Sequence, residues 1–335
     1  MSMLGVQDLR VTFQSDGKAL SAVDGVSLTL DRGESLGIVG ESGCGKTTLT
    51  KAILRLLPAN AKTEGRVEFQ GKNLVELSVA GLREIRWQEL SLITQSAMNA
   101  LDPVWRVGDQ LIEAIRLHDD CSKAEARARS VKLFDLVGLK SEWLDRYPHE
   151  YSGGMKQRAI IAMALALGPA MIVADEPTTA LDVVMQDQVF AEIDRIRAAG
   201  KTGIVLITHD ISLVAENCDR VAVMYAGKIV EYGNTKDILD LPKHPYTIGL
   251  RNAFAELDGD HELISISGGP PDLTNPPKGC RFKPRCPLAS DGCNREPPLS
   301  VLDDGRSVAC HNLPQVEAFR GVAKLASTWE MVERS

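Results

Sequence analysis

Gly40-Glu41-Ser42-Gly43-Cys44-Gly45-Lys46-Thr47 satisfies G-x-x-x-x-G-K-[ST] at every specified position, and residues of those types at that spacing bind phosphate. Gly40, Gly43 and Gly45 let the backbone curl, so that N–H groups running past Ser42 and Cys44 converge as an anion nest. The helix that follows adds the partial positive charge of its N-terminus. Lys46 is expected to reach the β- and γ-phosphates of a nucleotide and Thr47 to hold Mg²⁺ through its hydroxyl, with Thr48 completing the cradle. Far downstream, the apolar run Met171-Ile172-Val173-Ala174 ends in Asp175-Glu176. At the C-terminal edge of a parallel sheet, where such sheets bind ligands, Asp175 would lie near the Mg²⁺, directly or through water. Glu176 would orient or deprotonate an attacking water. The bland alternatives are a glycine-rich turn with an accidental lysine and a solvated acidic turn before Pro177. Each weakens once both motifs stand in one chain.

Positioning these groups requires particular elements. Ser35-Leu36-Gly37-Ile38-Val39 reads as a buried strand entering the loop, and Leu49, Ala52, Ile53 and Leu56 mark one face of a helix closed by Pro58. Gly203–Ile207 reads as a strand ending beside His209. Val221–Tyr225 reads as another, turning through Ala226-Gly227 into Lys228–Tyr232. Between these portions, residues 96–165 read as helical. Ser122-x-x-Glu125 is a capping box ahead of Ala128, Val131 and Phe134, with Gly138 as the stop. Ser152 caps a helix carrying Ala159–Ala164, and its hydroxyl with the Gly153 and Gly154 N–H groups forms a second anion site. Ser152 as a helix cap and nothing more is the bland reading. From about residue 236 the alternation fades and proline becomes frequent.

The ordered set of phosphate loop, Gln95, Ser152-Gly153-Gly154-Met155-Lys156-Gln157-Arg158, Asp175-Glu176-Pro177, Thr179-Ala180-Leu181-Asp182 and His209-Asp210 resembles the nucleotide-binding subunits of ABC transporters. The resemblance implies an α/β fold: a P-loop NTPase (RecA-like) core of ABC type, with an N-terminal antiparallel β subdomain and an inserted helical subdomain at about 96–165. It also implies roles. Gln95 resembles the glutamine that senses Mg²⁺ and the attacking water, Asp182 the aspartate at the dimer seam, and His209 the histidine that contacts the γ-phosphate. Phe13, on the strand Leu9–Phe13, matches the aromatic on which adenine stacks; as an isolated residue it reads as a core aromatic. Catalysis would then fall to Glu176, His209, Gln95 and Lys46. In this family Ser152–Gly154 grip the γ-phosphate of ATP held by a partner's phosphate loop, so that two cassettes sandwich two ATP molecules. Tyr151 and Met155 depart from the commonest leucine and glutamine. The methionine, the run Gln95–Pro103 and Pro242-Lys243-His244-Pro245-Tyr246-Thr247 resemble the oligopeptide/dipeptide importer branch. That branch implies a pair of membrane-spanning permeases, a second ATPase in a heterodimer, and an extracytoplasmic solute-binding protein. Peptide is the expected cargo, with oligosaccharides, opines and metal chelates as the branch's alternatives.

Cys280, Cys286, Cys293 and Cys310 crowd into a proline-rich, charged segment, with five and six residues in the first two gaps. The opening residues lack a signal peptide's basic start and apolar core, so a reducing cytosol is expected, and four thiols there indicate a metal rather than disulfides. Zinc and an iron–sulfur cubane both accept four cysteines. The wide spacing suits the larger cluster, and peptide-branch members with such a tail resemble [4Fe-4S] carriers. His311 in place of one thiolate would make a zinc site, and bare thiols are the remaining reading. The boundaries read as an ATPase domain over 1–250 and a small four-cysteine domain over 251–335.

Composition agrees with this picture. Lys+Arg 38 against Asp+Glu 45 gives a net charge of −7, which marks no nucleic-acid or lipid surface. The longest apolar stretch, Ala159–Leu167, is far short of the ~20 residues that span a bilayer. The subunit is therefore expected as a peripheral protein on the cytoplasmic face of the inner membrane. A non-transport ABC ATPase acting on nucleic acid or the ribosome is the alternative class; such cassettes usually bring paired cassettes, a long coiled coil or basic surfaces, and this acidic single-cassette chain shows none of these.

Overall fold

The computed structural model describes residues 2–15, 18–94, 100–178, 183–200, 202–253 and 264–330. In chain order the strands are β1 (Ser2–Ser15), β2 (Lys18–Asp31), β3 (Ser35–Val39), β4 (Ala61–Phe69), β5 (Lys72–Asn73), β6 (Leu90–Ile93), β7 (Met171–Asp175), β8 (Gly203–Thr208), β9 (Arg220–Tyr225), β10 (Lys228–Asn234), β11 (Ser300–Val301) and β12 (Ser307–Val308). The helices are α1 (Lys46–Ile53), α2 (Val79–Ile85), α3 (Val107–His118), α4 (Lys123–Leu136), α5 (Gly153–Leu165), α6 (Val183–Gly200), α7 (Ile211–Asn217), α8 (Thr235–Asp240), α9 (Pro245–Asn252), α10 (Leu313–Val322) and α11 (Ala326–Glu330). They fall into two compact units. One comprises Asp31–Glu34 and Leu77–Leu206; the other comprises Ser2–Leu30, Ser35–Glu76 and Ile207–Ser335.

In the first unit β6 and β7 pair in parallel, from Leu90↔Met171 to Ile93↔Ala174. Every residue of β7 is buried, as its unbroken apolar run demands. Helices α3, α4 and α5 occupy the stretch expected to be helical and share this unit with β6 and β7. The capping box forms: Ser122 Oγ accepts the Glu125 N–H at 3.2 Å, and the Glu125 carboxylate accepts the Ser122 N–H at 2.8 Å. Such a cap contributes about 1 kcal/mol. Ala126, Ser130 and Phe134 turn one face of α4 inward at four-residue steps.

The second unit holds a four-stranded sheet in the order β2-β1-β4-β5, antiparallel between β1 and β4 and between β4 and β5. It also holds the strand run β11-β12-β10-β9-β3. There β3 and β9 are parallel, whereas β9, β10, β12 and β11 follow one another antiparallel. Sequence alternation fades after residue 236, yet the chain beyond it supplies α8 to α11 and the short pair β11–β12. Its β12 is joined to β10 through Glu231↔Val308. Two-residue strands carry too little apolar periodicity to be read from sequence. The described residues from Ile207 onward belong to the same compact unit as β3 and α1.

Candidate nucleotide site

Strand β3, buried at all five positions, delivers the chain into the phosphate loop. Helix α1 begins at Lys46, and its N-cap is Gly45 at φ 105°, ψ 2°, with no side chain capping the helix. A Cβ at Gly45 would stand 2.3 Å from the Ala22 carbonyl oxygen, so only glycine fits. No N-cap side chain competes for the first-turn N–H groups, an arrangement that suits an anion. Lys46 is 7% exposed, and its Nζ donates to the carbonyls of Gly40 at 2.6 Å and Glu41 at 3.0 Å. The ammonium is therefore already held within the loop. Thr47 and Thr48 sit half-buried on the first turn of α1, and Ser42 and Gly43 are exposed at the mouth. Cys44 turns inward at 1% exposure; burial pushes its thiol up despite the neighbouring Lys46. In the same unit His209 stands exposed just past β8, beside the N-cap of α7. Asp210 forms that cap, accepting the Ser212 N–H at 2.8 Å.

In the first unit β7 ends at Asp175, 7% exposed, and the next residue, Glu176, adopts φ 48°. The left-handed region is costly for a side-chain-bearing residue, and such residues cluster at functional sites. The adjoining Pro177 carbonyl accepts a hydrogen bond from Gln157 Nε2, which ties this turn to α5. At the start of α5, exposed Ser152 is the N-cap and its hydroxyl accepts the Met155 N–H at 3.3 Å. Gly153 and Gly154 form the first turn. Tyr151 is buried; its hydroxyl donates to the Trp143 carbonyl and its ring meets Trp143 edge-on at 5.3 Å. The tyrosine anchors the signature turn instead of exposing a polar tip.

Of the other sequence-derived positions, Gln95 and Asp182 lie outside the described residues. Phe13 is half-buried on β1, opposite Ala61. His-Pro-Tyr-Thr resolves into a helix start: His244 is the N-cap of α9, Pro245 holds the first position, and His244 Nδ1 accepts the Tyr246 N–H at 3.1 Å. Burial lowers His244 to about 3, so the ring is neutral and free to accept. Three residues carry contacts that sequence reading did not assign: Gln157, Tyr246 and Arg285. Gln157 and Tyr246 stand inside the motifs, whereas Arg285 has no signal of its own.

The four C-terminal cysteines are not in disulfides. Cys280 donates its N–H to the Cys293 carbonyl at 2.9 Å, and Asn312 donates its N–H to Cys310 Sγ at 3.4 Å and Nδ2–H to Cys293 Sγ at 3.6 Å. Every pair among the four thiols interacts electrostatically. Burial, reinforced by those neighbours, pushes Cys310 up to about 11 and raises Cys280 and Cys286 as well. Among the described residues no group of three or more His, Cys, Asp or Glu side chains is placed to hold a metal ion. Four thiols are a donor set of the kind that suits soft metals, and as placed here they form no such group.

The parts in hand define a phosphate-loop ATPase of the cassette class, and comparison with known proteins agrees. The family described as ABC transporter matches residues 23–179, and that described as oligopeptide/dipeptide transporter, C-terminal region, matches residues 230–293. The oligopeptide transport ATP-binding protein OppD of Escherichia coli (strain K12) is 45% identical over 312 residues, covering 92% of this chain and 93% of that protein. The dipeptide transport ATP-binding protein DppD of Bacillus subtilis (strain 168) is 46% identical over 314 residues, covering 92% and 94%. A solved dimer of the ATP-binding cassette MJ0796, in a post-hydrolysis state bound to ADP and Pi, superposes with a TM-score of 0.65 at 25% identity, covering 70% of this chain and 99% of that one. The chain belongs to the ATP-binding subunits of ABC transporters, ATPases of the oligopeptide/dipeptide branch.

Proposed function

We propose that this subunit hydrolyses Mg·ATP to drive an importer of oligopeptides or dipeptides from the cytoplasmic face of the inner membrane. The observation that carries this reading is the phosphate loop, with Lys46 held inside it and the first turn of α1 left uncapped. No described helix is long and apolar enough to cross a membrane, so passage of cargo falls to partner permeases. Lys46, Thr47 and Asp175 hold Mg·ATP, with Gln95 sensing the metal and Phe13 stacking on adenine. Glu176 activates water and His209 contacts the γ-phosphate. Ser152–Gly154 of a second, related ATPase close the cage, with Asp182 at the seam, and closure drives the pair of permeases. An extracytoplasmic solute-binding protein delivers the peptide. Residues 251–335 form the four-cysteine segment, in which Cys280, Cys286, Cys293 and Cys310, all outside disulfides, would hold a [4Fe-4S] cluster as a structural clamp.

Reconstitution with the permeases and binding protein tests the transport reading: ATP-driven peptide uptake is expected, and Glu176→Gln should keep ATP binding while losing turnover. Wild-type turnover in that variant would remove Glu176 from its role. Uptake of a sugar or chelate in preference to peptide would overturn the cargo. Anaerobic purification tests the clamp. Absorbance at about 400 nm with bound iron and sulfide supports the cluster, and a colourless protein with stoichiometric zinc refutes it.

A further inference from the structure

Glu41 occupies a position that the phosphate-loop pattern leaves unspecified, yet both its backbone and its carboxylate are held. Its backbone N–H donates to Tyr246 Oη at 2.9 Å, and its carboxylate accepts both Arg285 terminal nitrogens, at 2.8 and 3.0 Å. A paired fork of this kind fixes direction as well as distance. Arg285 is itself locked. It is 7% exposed, its Nε donates to the Ser267 carbonyl at 2.9 Å and its Nη2 to the Ile266 carbonyl at 3.2 Å. Beneath it Tyr225, Tyr246 and Phe282 form an aromatic cluster with ring centroids 4.6 to 5.4 Å apart. Tyr246 is fully buried in that cluster, so its hydroxyl cannot wander.

A parallel route runs from Arg281. Its guanidinium donates to the Ala226 carbonyl, and the next residue, Gly227, donates its N–H to the Cys44 carbonyl at 2.8 Å. Both arginines lie between Cys280 and Cys286. That short turn is closed by Lys283 N–H to the Cys280 carbonyl at 3.0 Å and Cys286 N–H to the Lys283 carbonyl at 3.2 Å. The loop carbonyls of Gly40 and Glu41 also take the Lys46 ammonium. Any shift at Glu41 therefore moves the acceptors that hold Lys46.

We propose that Tyr246 and Arg285 are positioning residues for the phosphate loop: α9 and the cysteine-flanked turn clamp Glu41 and thereby hold the loop in its nucleotide-binding shape. The role rests on the reading of this loop as the ATP site. Because coupling free energy is reciprocal, bound nucleotide should in turn steady the Cys280–Cys286 turn.

Equilibrium ATP binding to the full-length chain, with KM and kcat for ATP in the assembled importer, tests this. Tyr246→Phe keeps the buried ring and loses one hydrogen bond, so Kd and KM should rise about fivefold with kcat within about twofold of wild type. Glu41→Gln and Arg285→Lys should each raise them about tenfold. The Glu41→Gln/Arg285→Lys double variant should be no weaker than the poorer single variant, because both remove the same fork. Folded Tyr246→Phe or Glu41→Gln protein with wild-type Kd would overturn the proposal, as would a fall in kcat with KM unchanged. Lys46→Ala separates the two readings. If it abolishes binding while the clamp variants bind normally, only the clamp fails; if it too binds normally, the ATP site is misplaced.

Discussion

Replacing Gly45 by alanine should disable the phosphate loop, whereas the same change at Gly43 should not. At Gly45 the backbone sits at φ 105°, and a Cβ would meet the Ala22 carbonyl oxygen at 2.3 Å and Met224 Cε at 2.9 Å. Holding an L-residue in so sparsely populated a conformation costs about 1–3 kcal/mol, and forcing an atom into packed backbone costs about 1–3 kcal/mol more. The loop relieves about 4 kcal/mol in the middle of that range by moving, and binding must then restore it, which weakens ATP affinity about 1000-fold. At Gly43, φ is 78° but a Cβ meets nothing within 4 Å. Only the left-handed penalty of about 1–2 kcal/mol applies there, a loss of about 5- to 30-fold. Titration of full-length protein with a fluorescent ATP analogue measures both, and urea unfolding reports how much of the strain appears as lost stability. Gly45→Ala binding as tightly as Gly43→Ala, with equal stability, would refute the steric reasoning.

Other outcomes follow from single contacts. Ser152→Asp keeps an N-cap acceptor, so the urea midpoint should stay near wild type, while under the proposed sharing of ATP between two subunits the added negative charge should lower importer ATPase activity more than about 100-fold. A capping-only serine would leave that activity intact. Burial raises Glu231 from 4.5 to about 7, although the Lys243 and His244 N–H groups hold the carboxylate. A raised folded value means stability fully present below about pH 4.5 and lost as pH rises through about 7, by about 3 kcal/mol at most. Unfolding free energy measured from pH 5 to 8 should fall accordingly, and a flat profile would place Glu231 in a more polar setting. Tyr151→Leu should lose the Trp143 hydrogen bond, lowering stability by about 1 kcal/mol in urea unfolding; a rise in stability would show that the ring is poorly packed.

Two strands were legible because each carries its own signal. Ser35–Val39 and Met171–Ala174 are short apolar runs stopped by glycine or carboxylate, and they appear as β3 and β7 to within a residue. The capping box at Ser122 and Glu125 was legible for the same reason, since both partners lie three residues apart. The C-terminal segment was not. Its strands are two residues long, and its arginines act on residues more than two hundred positions away, as Arg285 does on Glu41. Nothing local distinguishes those arginines from solvated charges.

Local chemistry therefore named the nucleotide machinery, because a phosphate nest, a helix cap and a paired carboxylate are built from neighbours in the chain. Tertiary structure decided how that machinery is held. It set Glu176 in the left-handed region, tied the Pro177 carbonyl to Gln157, and placed Tyr246 and Arg285 on Glu41. Those are contacts of residues brought together by packing, and a spacing pattern carries no record of what folds against it.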